Sequence, residues 1–91
     1  MSHVPHSGQL VPGNYFISHK APNGFASVYE GVELDSTQVT DLHPGTAVHV
    51  VEVVTRNDLR RVRGRIDRPV VGWISLENMD DGSRWVRPGL V

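Results

Sequence analysis

Three arginines alternate with small and apolar residues in Arg61-Val62-Arg63-Gly64-Arg65-Ile66, and this is the stretch of the chain best suited to recognition chemistry. A guanidinium forms planar, bidentate pairs with carboxylate or phosphate, which an ammonium does not. Lys20 is the only lysine among the nine Lys and Arg, so almost all the positive charge is of this kind. The residues that could support catalysis are poorer. Ser18 and His19 are adjacent, and neighbours on a strand point to opposite faces, so they cannot form a dyad there. Ser75 and Glu77 lack a base between them, and no Gly-x-Ser-x-Gly, phosphate loop or dinucleotide fingerprint occurs. His3 and His6 have the spacing of a metal pair without third and fourth ligands, and His43 and His49 have no cysteine beside them. The expectation is a protein that is not an enzyme and holds no metal or other cofactor.

Charge is unevenly laid along the chain. Lys20 to Thr55 carries one cation against Glu30, Glu33, Asp35, Asp41 and Glu52, while Arg56 to Arg68 carries six arginines against Asp58 and Asp67; the net charge is −1. Such asymmetry bears on partner choice more than the total does. The two stretches could also complement each other between copies, which leaves room for a homo-oligomer. Ninety-one residues without cysteine fit a single small core that needs no disulfide. The N-terminal Met1 to Gly8 has no basic patch followed by an apolar run, so a soluble, cytoplasmic protein without a membrane span is expected.

What positions the arginines is a series of strands. No segment keeps apolar residues at helical spacing for two turns, whereas short runs rich in Val, Ile, Tyr and Trp recur between turn residues. Strands are expected at 14–19, 25–30, 47–54, 60–66, 70–75 and 84–87. Pro22-Asn23-Gly24, His43-Pro44-Gly45, Arg56-Asn57-Asp58, Asp67-Arg68-Pro69 and Asp80-Asp81-Gly82 supply the turns. Gly31 to Leu42 reads as a longer irregular excursion, and residues 1–12, with Pro5, Gly8 and Pro12, as a flexible lead-in to a domain spanning 13–91. In the strand 60–66, Val62, Gly64 and Ile66 fall on one face and Arg61, Arg63 and Arg65 on the other. The apolar set is expected in the core and the arginines outside, with a bulky residue, Trp73 or Trp85, over Gly64. Valines in both phases of 47–54 call for a bulge or for burial on both sides.

These residues carry a resemblance. Arg61 to Ile66 followed by Gly72-Trp73-Ile74-Ser75 resembles the second half of an SH3 domain, and Asp35-Ser36, Val39, Leu42, Pro44-Gly45-Thr46 and Val48 resemble the bacterial type of that pattern. The resemblance covers roughly Tyr15 to Trp85. It implies an all-β fold, an SH3-like barrel of five to six short antiparallel strands, and a binding role. Where polyproline-binding members carry groove aromatics and a proline, this chain has Arg60 or Arg61, Ser75, and Asn78 or Met79, which argues against a proline-rich ligand. The acidic loop with Glu30, Glu33 and Asp35 keeps the charge such domains use to read basic flanks.

The leading expectation is a non-catalytic protein-interaction module of a scaffold or adaptor. Arg61, Arg63, Arg65 and Trp73, with Tyr29, Glu33 and Asp35 nearby, would meet an acidic or amphipathic protein or peptide. Trp73 can serve as an exposed anchor, whereas Trp85 is expected to cap the core. The arginine face has a plainer reading too, as a solvated surface that keeps the domain soluble. A nucleic-acid binder is one alternative, since arginines beside aromatics grip phosphates and stack bases, but a sequence pI near 6.5 argues against it. A peptidoglycan-targeting domain of the bacterial SH3 type is the other.

Overall fold

Alternation of buried and outward residues is clearest at 14–17, 26–29 and 47–50 of the computed structural model, which describes residues 10–89. Seven strands result: β1 (Gly13–Ile17), β2 (Ala26–Tyr29), β3 (Gln38–Leu42), β4 (Ala47–Arg56), β5 (Arg61–Arg68), β6 (Gly72–Asn78) and β7 (Val86–Pro88). They form one antiparallel sheet in the order β3-β2-β6-β5-β4-β1-β7. The protein is therefore all-β, as expected.

Three features depart from the sequence reading. The excursion between Gly31 and Leu42 ends in β3, which pairs with β2 from Ala26↔Leu42 to Tyr29↔Gln38. Four of its five residues are exposed, so it has no buried alternation of its own and owes its conformation to the neighbouring strand. The sheet is not closed by strand pairing, because β3 and β7 each have a single neighbour. Instead the backbone of Trp85 joins the sheet's two sides: its N–H donates to the Leu76 carbonyl at 3.0 Å and its carbonyl accepts from Ser18 N–H at 2.8 Å. Finally, the lead-in assigned to residues 1–12 lies outside the described residues up to position 9, but its end is structured. Leu10 packs on the core, and the Tyr15 hydroxyl both donates to the Val11 carbonyl (2.6 Å) and accepts from its N–H (3.1 Å).

The core gathers Ile17, Val28, Val50, Ile66, Ile74, Leu76 and Val86, all at or near zero exposure. The bulge expected in β4 is present, with register shifts between His49 and Glu52 that let Val48 and Val50 face inward while Val51 is only partly covered. Gly64 does lie under a bulky side chain, but it is Leu76 and neither tryptophan. A Cβ at Gly64 would sit 2.8 Å from Leu76 Cδ1 and 3.0 Å from Cγ and Cδ2. These are atoms of one side chain, so Gly64→Ala should fold with a loss of about 1–3 kcal/mol, the usual range for overpacking. Urea denaturation checks this, and a loss that is not partly recovered by adding Leu76→Val would mean that the strain lies elsewhere.

No described helix is long and apolar enough to cross a membrane. Among the described residues no cluster of three His, Cys, Asp or Glu could hold a metal ion. His43 and His49 belong to the described part, and His49 Nδ1 lies 2.8 Å from Asp67 Oδ1, a bond that holds the Asp67 carboxyl below its usual range. His3 and His6 lie outside the described residues.

Candidate functional site

The residues of β2 that turn away from the core are Phe25 at its entry, Ser27 and Tyr29, alternating with buried Ala26 and Val28. Strand β6 lies beside β2 with Trp73 opposite Tyr29, and β5 lies beside β6 with Arg63 opposite Ser75 and Arg65 opposite Trp73. One sheet face thus collects the aromatic residues of β2, the serine and tryptophan of β6 and the arginines of β5. The sequence-derived facing of β5 is right in this respect: Gly64 and Ile66 are buried with the core while the arginines point the other way.

That face is not uniformly exposed. The segment from Gly31 to Thr37 folds over it, tightened by the Ser36 hydroxyl, which lies 2.7 Å from the Glu33 carbonyl and 3.1 Å from that of Gly31. Arg63 is covered as a result and has 0% exposure, so the expectation that it projects into solvent is corrected. The cause is a covering element from a distant part of the chain. Arg63 Nε donates to the Val32 carbonyl at 3.1 Å, one terminal nitrogen donates to Ser75 Oγ at 2.8 Å, and the guanidinium lies over the Tyr29 ring at 5.4 Å. Its other terminal nitrogen is buried with no hydrogen-bond partner among the described residues. Burial, then the like charge of Arg61, lowers the Arg63 pKa to about 10, against a smaller opposing influence of Tyr29 and Glu33.

Arg61 shares the same hydroxyl. It donates to Ser75 Oγ at 3.0 Å and stacks on the Trp85 ring at 4.9 Å, a cation–π distance. A serine oxygen that accepts twice has its own proton left to donate. Among the described residues neither Arg61 nor Arg63 has a carboxylate within ion-pair distance, whereas Arg65 pairs with Glu52 (2.9 Å), Arg60 with Asp80 (2.9 Å) and Arg84 with Glu77 (2.9 Å). Arg56 is paired twice, with Asp58 and with Glu33, both at 2.7 Å. Those bonds raise the Arg56 pKa and lower that of Asp58, and the second ties the covering segment to the β4–β5 hairpin.

Beside Arg61 lies a cleft of about 220 Å³. Phe25, Tyr29, Leu34 and Trp85 make its apolar walls; Asn23, Ser27, Ser75 and Arg61 supply the polar ones. Of the residues expected from sequence, it brings together Tyr29 and Arg61. Arg63 sits behind it, sharing Ser75. Trp73 is half-buried on the same sheet face but does not line the cleft; Glu33 and Asp35 are exposed on the covering segment, Glu33 occupied by Arg56. The sequence reading missed Phe25, Leu34, Ser75 and Trp85 as lining residues. Phe25-x-Ser27-x-Tyr29 carried a readable signal, because period-two spacing across buried Ala26 and Val28 puts all three outside. Trp85 carried none: it is 7% exposed, as a core cap would be, yet one side of its ring faces Arg61 and the cleft.

Comparison with protein-family models, with curated proteins and with solved structures gives no match for this chain.

Proposed function

We propose that this chain is a non-catalytic protein-interaction module, an SH3-like barrel within a scaffold or adaptor, that binds an acidic or amphipathic segment of a partner on the outer face of β2, β6 and β5. The observation that carries this reading is the aromatic cleft with Arg61 on its wall and, among the described residues, no carboxylate within ion-pair distance of that arginine. Aromatic and arginine residues dominate the energetics of protein interfaces, and a cation without a counter-charge on an apolar wall favours an anionic partner over a cationic one. Arg65 and Trp73, on the same face, extend the surface beyond the cleft. Tyr29 contributes its ring to the cleft wall. The covering segment borders the site, with Glu33 held by Arg56 and Asp35 exposed on it.

The test is an NMR titration of the labelled domain with a peptide that alternates Glu with Leu and Phe, against a counterpart in which Lys replaces Glu. The acidic peptide should saturate, with shifts concentrated at Phe25, Tyr29, Arg61 and Trp85. Arg61→Glu should stay folded by thermal melt, as substitutions of incompletely buried surface residues usually do, and should weaken that binding at least about tenfold, or about 1.4 kcal/mol. Equal binding of both peptides, or no shifts at millimolar concentration, would remove this reading.

A further inference from the structure

The cleft is small and two-sided in its chemistry. At about 220 Å³ it falls below the roughly 300–1,000 Å³ of clefts that enclose a drug-sized molecule, a size that suits a single peptide residue better than a drug-sized ligand. Its apolar walls, Phe25, Tyr29 and Trp85, ask for an apolar side chain. Its polar wall asks for an anion: Arg61 and Arg63 converge on the single hydroxyl of Ser75 at 3.0 and 2.8 Å, without a carboxylate within ion-pair distance of either among the described residues. Two like charges meeting at one neutral group, one of them fully buried with a terminal nitrogen unbonded, make an arrangement that an incoming negative charge relieves. Two carboxylates of the surrounding segments are engaged elsewhere, Glu33 by Arg56 and Asp41 by Ser27 and Gln38.

A residue inside a chain meets only one of these demands. With an apolar side chain it brings no charge, and with a carboxylate side chain it sets a polar group against three aromatic walls. The last residue of a chain meets both, because its α-carboxylate and its side chain stand on the same carbon. Resting on the reading of this face as a protein-binding surface, we propose that the cleft captures the C-terminal residue of a partner protein. The carboxylate would pair with Arg61 and accept from the Ser75 hydroxyl, and the apolar side chain would lie among Phe25, Tyr29 and Trp85.

The experiment uses three probes on the full chain, followed by NMR shifts of the Trp85 indole N–H and the Arg61 backbone amide. The first is acetyl-Gly-Ser-Gly-Ser-Gly-Phe with a free carboxylate, the second is the same peptide as its carboxamide, and the third is acetyl-Gly-Ser-Glu-Phe-Gly-Ser-carboxamide, whose carboxylate is internal. The free acid should bind at least tenfold more tightly than its amide, a terminal Gly in place of Phe should weaken it, and Arg61→Gln should bring the acid down to the level of the amide. Equal binding of acid and amide would overturn the proposal. Tighter binding of the internal-Glu peptide would also overturn it while leaving the acidic-partner reading in place, and absence of binding by all three at millimolar concentration would count against both.

Discussion

Arg63→Glu is expected to abolish folding or leave the domain only marginally stable. The side chain it replaces is fully buried and faces the Val32 carbonyl, the Tyr29 ring and the Ser75 hydroxyl, of which only the hydroxyl could donate to a carboxylate. A carboxylate there would meet a carbonyl oxygen at about the distance where an N–H now donates, and it would be buried with Arg61 as its nearest cation. Uncompensated buried charge costs about 3–5 kcal/mol, against a total stability of roughly 5–14 kcal/mol for a domain of this size. Arg63→Met separates charge from volume. It removes a guanidinium whose ionisation is disfavoured by burial, and Ser75 keeps its bond from Arg61, so Arg63→Met should retain most of the stability that Arg63→Glu loses. Chemical denaturation of the two variants beside the wild type checks both statements. A well-folded Arg63→Glu protein would mean that the segment 31–37 does not cover this strand in solution.

The second large effect is expected at Gly72. A Cβ on this residue would run into Val28 Cγ1 and stand 2.8 Å from the Tyr29 carbonyl oxygen. The first contact is with a side chain at 0% exposure; the second is with the backbone of the strand that β6 pairs with at Tyr29↔Trp73. Backbone cannot swing away as a leucine side chain can, so Gly72→Ala should cost about 3 kcal/mol or more, at or above the top of the usual overpacking range and more than Gly64→Ala. Adding Val28→Ala should not restore stability, because the carbonyl remains and a cavity is added. Thermal and urea melts of the single and double variants decide it, and a rescued double variant would place the strain in the side chain alone.

Several strands were legible because their burial follows period two, as in Gly13–Ile17 and Ala26–Tyr29. Strand β3 was not, since Gln38, Val39, Thr40 and Asp41 are all exposed and the signal for it resides in its partner β2. The facing of Arg61, Arg63 and Arg65 could be derived from alternation with Val62, Gly64 and Ile66, but alternation gives the face and not what lies on it. Arg63 is covered by a residue 31 positions earlier, a contact that only the tertiary arrangement reveals. The same holds for the cleft. Tyr29 and Arg61 were singled out from sequence, whereas Ser75 was noticed as a departure from a proline and Trp85 as a core cap, and only the packing of β2, β5 and β6 makes them one site.

Trp85 serves two purposes at once. Its main chain bonds to Leu76 and Ser18, joining the flanks of the sheet beside the Glu77↔Arg84 bridge and the Asn78 N–H to Ser83 carbonyl bond, and its ring forms a wall of the cleft under Arg61. Occupancy of the cleft and retention of the sheet's curl are therefore linked variables. A ligand resting on the indole holds in place the residue that fastens the two flanks of the sheet, and by mass action it draws the equilibrium towards the curled form. Parting of those flanks displaces the ring and removes the wall. Occupancy of the cleft and resistance to unrolling would thus meet at one residue, Trp85.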